Sequence, residues 1–248
     1  MAVRAALKRS RVQAPARLAA IDALRGLAIV AMVAFHFSFD LALFRLAHFD
    51  FEHDLGWIVA RNAIVTTFMG LVGVSLVLAA RQGVPASRRW RRVAVIAACA
   101  LAVSAASYAL FPRTWIRFGI LHAIALASVI AWPLVRRPRL ALALGVAIVA
   151  AGLFVAHPAF DAPALQWIGL GTRKPVTEDW VPILPWLGVL WWGLAAGRWL
   201  LRHRPAWLQA PLPAAARPLA LLGRWSLTFY MLHQPVLIGL LMLVTLLR

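Results

Sequence analysis

Long apolar runs, separated by short charged segments, organise this chain. Seven of them reach about 18 residues or more, the length that a helix needs to cross a bilayer. They predict helices over approximately Ala19–Leu46, Trp57–Ala80, Val93–Phe111, Phe118–Val135, Leu140–His157, Ile183–Leu201 and Leu222–Leu247. The two-residue alternation that builds membrane barrels is absent. The expected fold class is therefore all-α, a polytopic transmembrane helix bundle of about seven spans. Residues 1–18 read as a basic cytoplasmic tail and residues 19–248 as a single transmembrane domain. The apolar run after the tail is too long for a signal-peptide core and lacks a small-residue cleavage site, so it reads as a retained first span.

Composition supports a membrane and charge orients the chain in it. With 63% hydrophobic residues, the chain has too little polar surface to cover a soluble core of this size. A net charge of +18 could suggest nucleic acid, but the basic residues sit between spans. The tail, Arg81–Arg92, Arg136–Arg139 and Arg198–Arg224 hold 18 of the 26, all on one side if the spans alternate. His48–Asp54 and Asp161–Asp179, on the other side, hold six of the eight acids. By the positive-inside rule the N-terminus is cytoplasmic and the C-terminus extracytoplasmic. The expected location is the bacterial cytoplasmic (inner) membrane, with the lipid bilayer as partner and no nucleic acid. A single cysteine, Cys99 in an apolar run, excludes an internal disulfide and reads as a small core residue.

The first span carries the most chemistry. Asp22, Arg25, His36 and Asp40 fall within about 60° of one face at 100° per residue, whereas Ser38 points away. An ionisable group in a bilayer costs at least about 2.5–3.5 kcal/mol, so a stripe of four calls for a protein interior or a wet cavity. Asp22 can pair with Arg25, and His36 with Asp40, about 21 Å apart along the helix. Asp22–Arg25 reads either as a lock on the helix ends or as a receptor for an anionic ligand from the cytoplasm. His36–Asp40 reads either as a satisfied core histidine or as a general base with its orienting carboxylate.

The last span adds Ser226, Tyr230 and His233 within about 60° of one face, with a proline break at Pro235. Such a face lines a cavity or serves as interhelical hydrogen-bond glue. His122, with Arg117 before it, lies near the outer end of span four. Asp179 reads as a cap for span six, Pro182 and Pro185 as fixing its entry, and Trp186 as its anchor. No metal is expected, since the histidines lack ligand spacing. Phosphate loops and nucleophile elbows are absent.

Together, IDALRGLAIVAMVAFHFSFDL, FMGLVGVSLVLA, FGILHAIALA, EDWVPILPWLG and LGRWSLTFYMLHQPVL resemble the bacterial relatives of lysosomal heparan-α-glucosaminide N-acetyltransferase, in that family's order and over nearly the whole chain. D-x-x-R-G matches Asp22, Arg25 and Gly26, and the H-x-x-x-D of the short bacterial branch matches His36 and Asp40. G-I-L-H places His122, D-x-V-P-x-x-P-W places Asp179, Pro182, Pro185 and Trp186, and S-L-x-x-Y-x-x-H-Q-P places Ser226, Tyr230, His233, Gln234 and Pro235. The lysosomal enzyme has asparagine where His36 stands and uses a histidine in the loop after its first span. His48 is the nearest by position, but its surroundings differ.

The resemblance implies an acyltransferase that moves an acetyl or other acyl group from cytoplasmic acyl-CoA, acetyl-CoA above all, to an extracytoplasmic acceptor such as a sugar or envelope glycan. On that reading Asp22, Arg25, Arg224 and Ser226 serve the donor, helped by Arg81, Arg88, Arg89, Arg91 and Arg92 drawing in its phosphates. His36 with Asp40 is the base, and His122, His233 or Tyr230 polarises the thioester carbonyl. A homodimer is compatible with this expectation. The alternative function is a transporter or proton-coupled carrier using the same polar stripe as a relay.

Overall fold

A computed structural model describes residues 18–203 and 205–247, so the basic tail at residues 1–17 lies outside the described residues. Nine α-helices are present among those described: α1 Ala19–Leu43, α2 Leu55–Arg81, α3 Ala86–Leu110, α4 Ile120–Ala131, α5 Pro138–Phe154, α6 Ile183–His203, α7 Ala206–Gln209, α8 Arg217–Arg224 and α9 Ser226–Leu246. Each predicted span overlaps at least one of them. By length and apolar character α1, α2, α3 and α9 can each cross a bilayer, while α4 with its 3-10 extension and α5 are shorter apolar helices. The protein is thus all-helical and of membrane type.

The core lies where α1, α2, α4 and α6 meet, with Ile29, Met69, Leu190 and Leu194 fully buried. Large apolar side chains remain exposed around it, among them Leu101 and Leu110 on α3 and Leu232, Val236 and Leu240 on α9. Such outer faces suit lipid and would be a liability in water. Lipid supplies little drive for helices to associate, so close backbone packing carries much of the cohesion. An added Cβ at Gly26 would lie 1.9 Å from the Leu219 carbonyl oxygen, and one at Gly223 would lie 1.8 Å from that of Asp22. The α1 and α8 backbones are therefore in direct contact. Gly73 and Gly193 do the same for α2 and α6.

Two local features differ from the sequence expectation. The last predicted span begins at Leu222, but the helix breaks at Trp225 (φ −103°, ψ 21°) into α8 and α9. The Gly223 contact holds α8 on α1, and α9 leaves at a new angle. The chain does not break at Pro235, which lies inside α9. Losing one backbone hydrogen bond does not end a helix supported on both sides of the proline.

Candidate functional site

The polar stripe of α1 faces inward, with Asp22 and Asp40 buried and Arg25 and His36 partly so. At its N-terminal end the expected pair forms. Arg25 Nη1 donates to Asp22 Oδ1 at 2.8 Å, and Nη2 donates to Ser75 Oγ at 2.9 Å. Ser75 in turn donates to the Leu71 carbonyl, one turn back on α2. Arg224 Nε lies 3.8 Å from Asp22 Oδ2, bringing α8 into the same cluster.

Beside this cluster is a cavity of about 380 Å³, lined by Arg25, Arg88, Arg91, Arg92, Ser75, Ser226 and apolar residues. No carboxylate is among its described lining residues, so the charged groups on its wall are all cationic. The structure sorts the arginines that composition alone could not separate. Arg89 instead stacks on Trp132, 3.8 Å from the ring centroid, and donates to the Val84 carbonyl. Arg81 reaches the Leu201 carbonyl at 3.4 Å.

A second cavity, of about 340 Å³, lies further along α1 and is lined by His36, Glu52, Arg61, Lys174, Trp180 and Trp186 among others. Lys174 Nζ donates to Glu52 Oε1 at 2.6 Å, with Arg61 3.8 Å from the same oxygen. Phe35, Phe39, Phe49, Phe51 and Trp57 pack edge-on or tilted beside it. Phe68 of α2, Ile120 of α4 and Tyr230 of α9 line both cavities.

At the far end of the stripe the expected His36–Asp40 pair does not form. Asp40 Oδ1 accepts from Gln234 Nε2 of α9 at 3.1 Å, because the inward turn of α1 aims the carboxyl at the neighbouring helix. His36 instead faces the His233 ring, centroids 5.0 Å apart. His233 Nδ1 donates to the Tyr230 carbonyl at 2.6 Å, which leaves the Nε2 lone pair buried and without a partner. Both ring nitrogens of His122 are engaged. Nδ1 accepts from the Gly119 N–H, and Nε2 lies 3.2 Å from Ser104 Oγ, whose own hydrogen goes to the Ile116 carbonyl. His122 thus holds the start of α4 in the manner of a capping box. Exposed His48 lines neither cavity.

Asp179 caps α4 and not span six. Its Oδ2 accepts from the Ile120 N–H at 2.9 Å. Residues 177–181 run alongside residues 114–118, joined by Glu178 N–H to the Thr114 carbonyl, Thr114 Oγ1 to Glu178, and Val181 N–H to the Phe118 carbonyl. That alignment brings Asp179 to the N-terminus of α4. A Cβ at Gly119 would lie 2.2 Å from Asp179 Oδ2, so the approach needs glycine. Burial pushes the Asp179 carboxyl up to about 6, against the opposing hydrogen bond from Ile120.

Ser75, Ser104, Phe68 and Ile120 escaped the sequence reading. Ser104 and Ser107, one turn apart in an apolar run, were the signal for a polar partner there. Phe68 and Ile120 carry no such signal, since nothing distinguishes a cavity wall from a core position in sequence. No group of three or more histidine, cysteine, aspartate or glutamate side chains is placed to hold a metal among the described residues.

Comparison with known proteins gives the chain a family. None of the curated proteins and none of the solved structures matches the chain. The family described as heparan-alpha-glucosaminide N-acetyltransferase, catalytic, matches residues 17–235, which include both cavities and every polar residue of the stripe. The chain belongs to the heparan-alpha-glucosaminide N-acetyltransferase catalytic family, a family of membrane acyltransferases.

Proposed function

We propose that the protein transfers an acyl group from acyl-CoA, held in the arginine-lined cavity, to an acceptor hydroxyl or amine in the His36 cavity. The observation that supports this is the common wall. Phe68, Ile120 and Tyr230 line both cavities, so a thioester on one side and a nucleophile on the other are one side-chain layer apart. The arginines suit the phosphates of CoA, with Arg25 already oriented by Asp22 and Ser75.

In this reading seven spans cross the bacterial inner membrane, and the arginine-lined cavity opens to the cytoplasm. His36 takes the proton from the acceptor as its oxygen or nitrogen attacks the thioester carbonyl. The C–S bond then breaks, and the CoA thiolate leaves with a proton returned by the imidazole. Tyr230, present in both cavities, donates its hydroxyl hydrogen bond to the developing oxyanion. His122 is assigned to holding α4, since neither of its nitrogens is free for that task. The wall also shields the thioester from outside water.

The test is purified protein in detergent micelles with radiolabelled acetyl-CoA and an envelope extract. Label should move to an extract component and free CoA should appear in equal amount. Uptake of a solute into liposomes that responds to a proton gradient, with no consumption of acetyl-CoA, would identify a carrier and overturn the proposal.

A further inference from the structure

Asp40 is 0% exposed, and only one of its oxygens has a donor. Oδ1 accepts from Gln234 Nε2, while Oδ2 is buried without a partner. The other end of the same amide is in the same state, for Gln234 Oε1 is also buried and without a donor. Among the described residues no lysine, arginine or histidine forms an ion pair with Asp40. A carboxylate in that position would be a buried charge with neither a counter-ion nor a full set of hydrogen bonds, an arrangement that folding strongly disfavours.

Both orphaned atoms are acceptors, and they belong to two side chains already in contact. One hydrogen between them satisfies both. We propose that Asp40 and Gln234 form a neutral carboxylic acid–amide pair, in which Asp40 Oδ2–H donates to Gln234 Oε1 while Gln234 Nε2–H donates to Asp40 Oδ1. A protonated carboxyl offers one donor and one acceptor in a plane, and so does a primary amide edge, so the two groups close a ring of two hydrogen bonds.

The place of this pair gives it a role. His36 lies one turn before Asp40 on α1, and His233 is the residue before Gln234 on α9. The pair therefore latches α1 to α9 beside the two histidine rings, fixes their 5.0 Å spacing and adds no negative charge next to them. Asp40 is a positioning residue and not the ionised partner of His36. Its catalytic meaning rests on the reading of His36 as the base; the pairing itself does not.

The experiment uses the full chain in detergent micelles at neutral pH. The infrared difference between wild type and Asp40→Asn should contain the C=O stretch of a protonated carboxyl, above the amide I band. Asparagine keeps one donor and one acceptor at this position, so that variant should unfold near the wild-type temperature. Gln234→Glu, which sets two carboxyls against each other, should lower the unfolding temperature. Adding Asp40→Asn to it rebuilds the acid–amide pair with its ends exchanged and should restore both the stability and the infrared band. No carboxyl band in the first difference spectrum, or a double variant no more stable than Gln234→Glu alone, would overturn the latch. Should Gln234→Glu fail to fold, the Asp40→Asn difference spectrum decides alone. Neither readout needs acyl-CoA. A latch confirmed in a protein that transfers no label would overturn the acyltransferase reading and leave the latch standing.

Discussion

The His36 and His233 rings stand 5.0 Å apart across the contact between α1 and α9, although 197 positions separate them in the chain. The Nδ1–H of His233 is committed to the Tyr230 carbonyl, which fixes its tautomer and couples it to the residue on the wall between the cavities. His36 lines the second cavity and His233 stands against it from α9.

His36→Ala should lower acyl transfer by about 10²–10⁴-fold, the usual contribution of a general base. His233→Ala should also be severe, and the double variant little worse than His36→Ala, since groups that act as a unit are not additive. His48→Ala should leave transfer nearly intact. Initial rates with radiolabelled donor decide this. An essential His48 with a dispensable His36 would move the base into the loop.

Affinity for CoA should separate the arginines by where they point. Arg91→Ala and Arg92→Ala should each weaken binding by about 1.5–3 kcal/mol, typical of a hydrogen bond to a charged group. Arg89→Ala should spare it, because that guanidinium lies on Trp132 outside the cavity. Calorimetric titration with CoA measures all three, and equal losses would mean that the arginines act only as a diffuse basic surface.

Gly223→Val should unfold at a markedly lower temperature than the wild type. A side chain there drives into the Asp22 carbonyl, and overpacking of this kind costs about 1–3 kcal/mol. Gly70→Val is the control, since a Cβ at Gly70 meets nothing within 4 Å. Thermal unfolding in one detergent compares them.

The raised Asp179 gives a pH dependence. An acid whose folded value lies above its ordinary 3.8 binds more protons folded than unfolded, so its contribution is full below that value and is lost as pH rises through about 6. Wild-type stability should fall over that window, and Asp179→Asn should flatten this component while keeping an oxygen for the Ile120 N–H. Asp179→Ala should lose about 0.5–2 kcal/mol of capping at any pH. Unfolding temperatures from pH 4 to about 7 provide the measurement.

Much of this architecture was legible in the sequence because its signals are periodic. Apolar runs of membrane length predicted the helices, and the 100° spacing of Asp22, Arg25, His36 and Asp40 predicted a single inward face. The Asp22–Arg25 pair followed because both members lie on one helix. What failed were partners that only tertiary packing supplies. Asp40 had an equally good local candidate in His36, and nothing in a linear reading could say that Gln234, on the last helix, would reach it first. Asp179 was assigned to the helix that follows it in sequence, whereas the loop folds back to a helix about 60 residues earlier. The common wall between the cavities was invisible for the same reason: Phe68 and Ile120 come from separate helices, and each alone is an ordinary core position.

Phe68, Ile120 and Tyr230 belong to three separate helices, so the layer between the cavities has no backbone of its own. Its tightness is whatever the packing of α2, α4 and α9 makes it. On the acyltransferase reading proposed above, seal and reaction centre are the same object, and any change that loosens one alters the other. On that reading the protein has no need to swing between inward- and outward-facing forms, because the acyl group has only a side chain's width to travel. The corresponding hazard is futile hydrolysis: a small defect such as a lost phenyl ring at Phe68 would let outside water reach the thioester, turning a transferase into a leak of acyl-CoA.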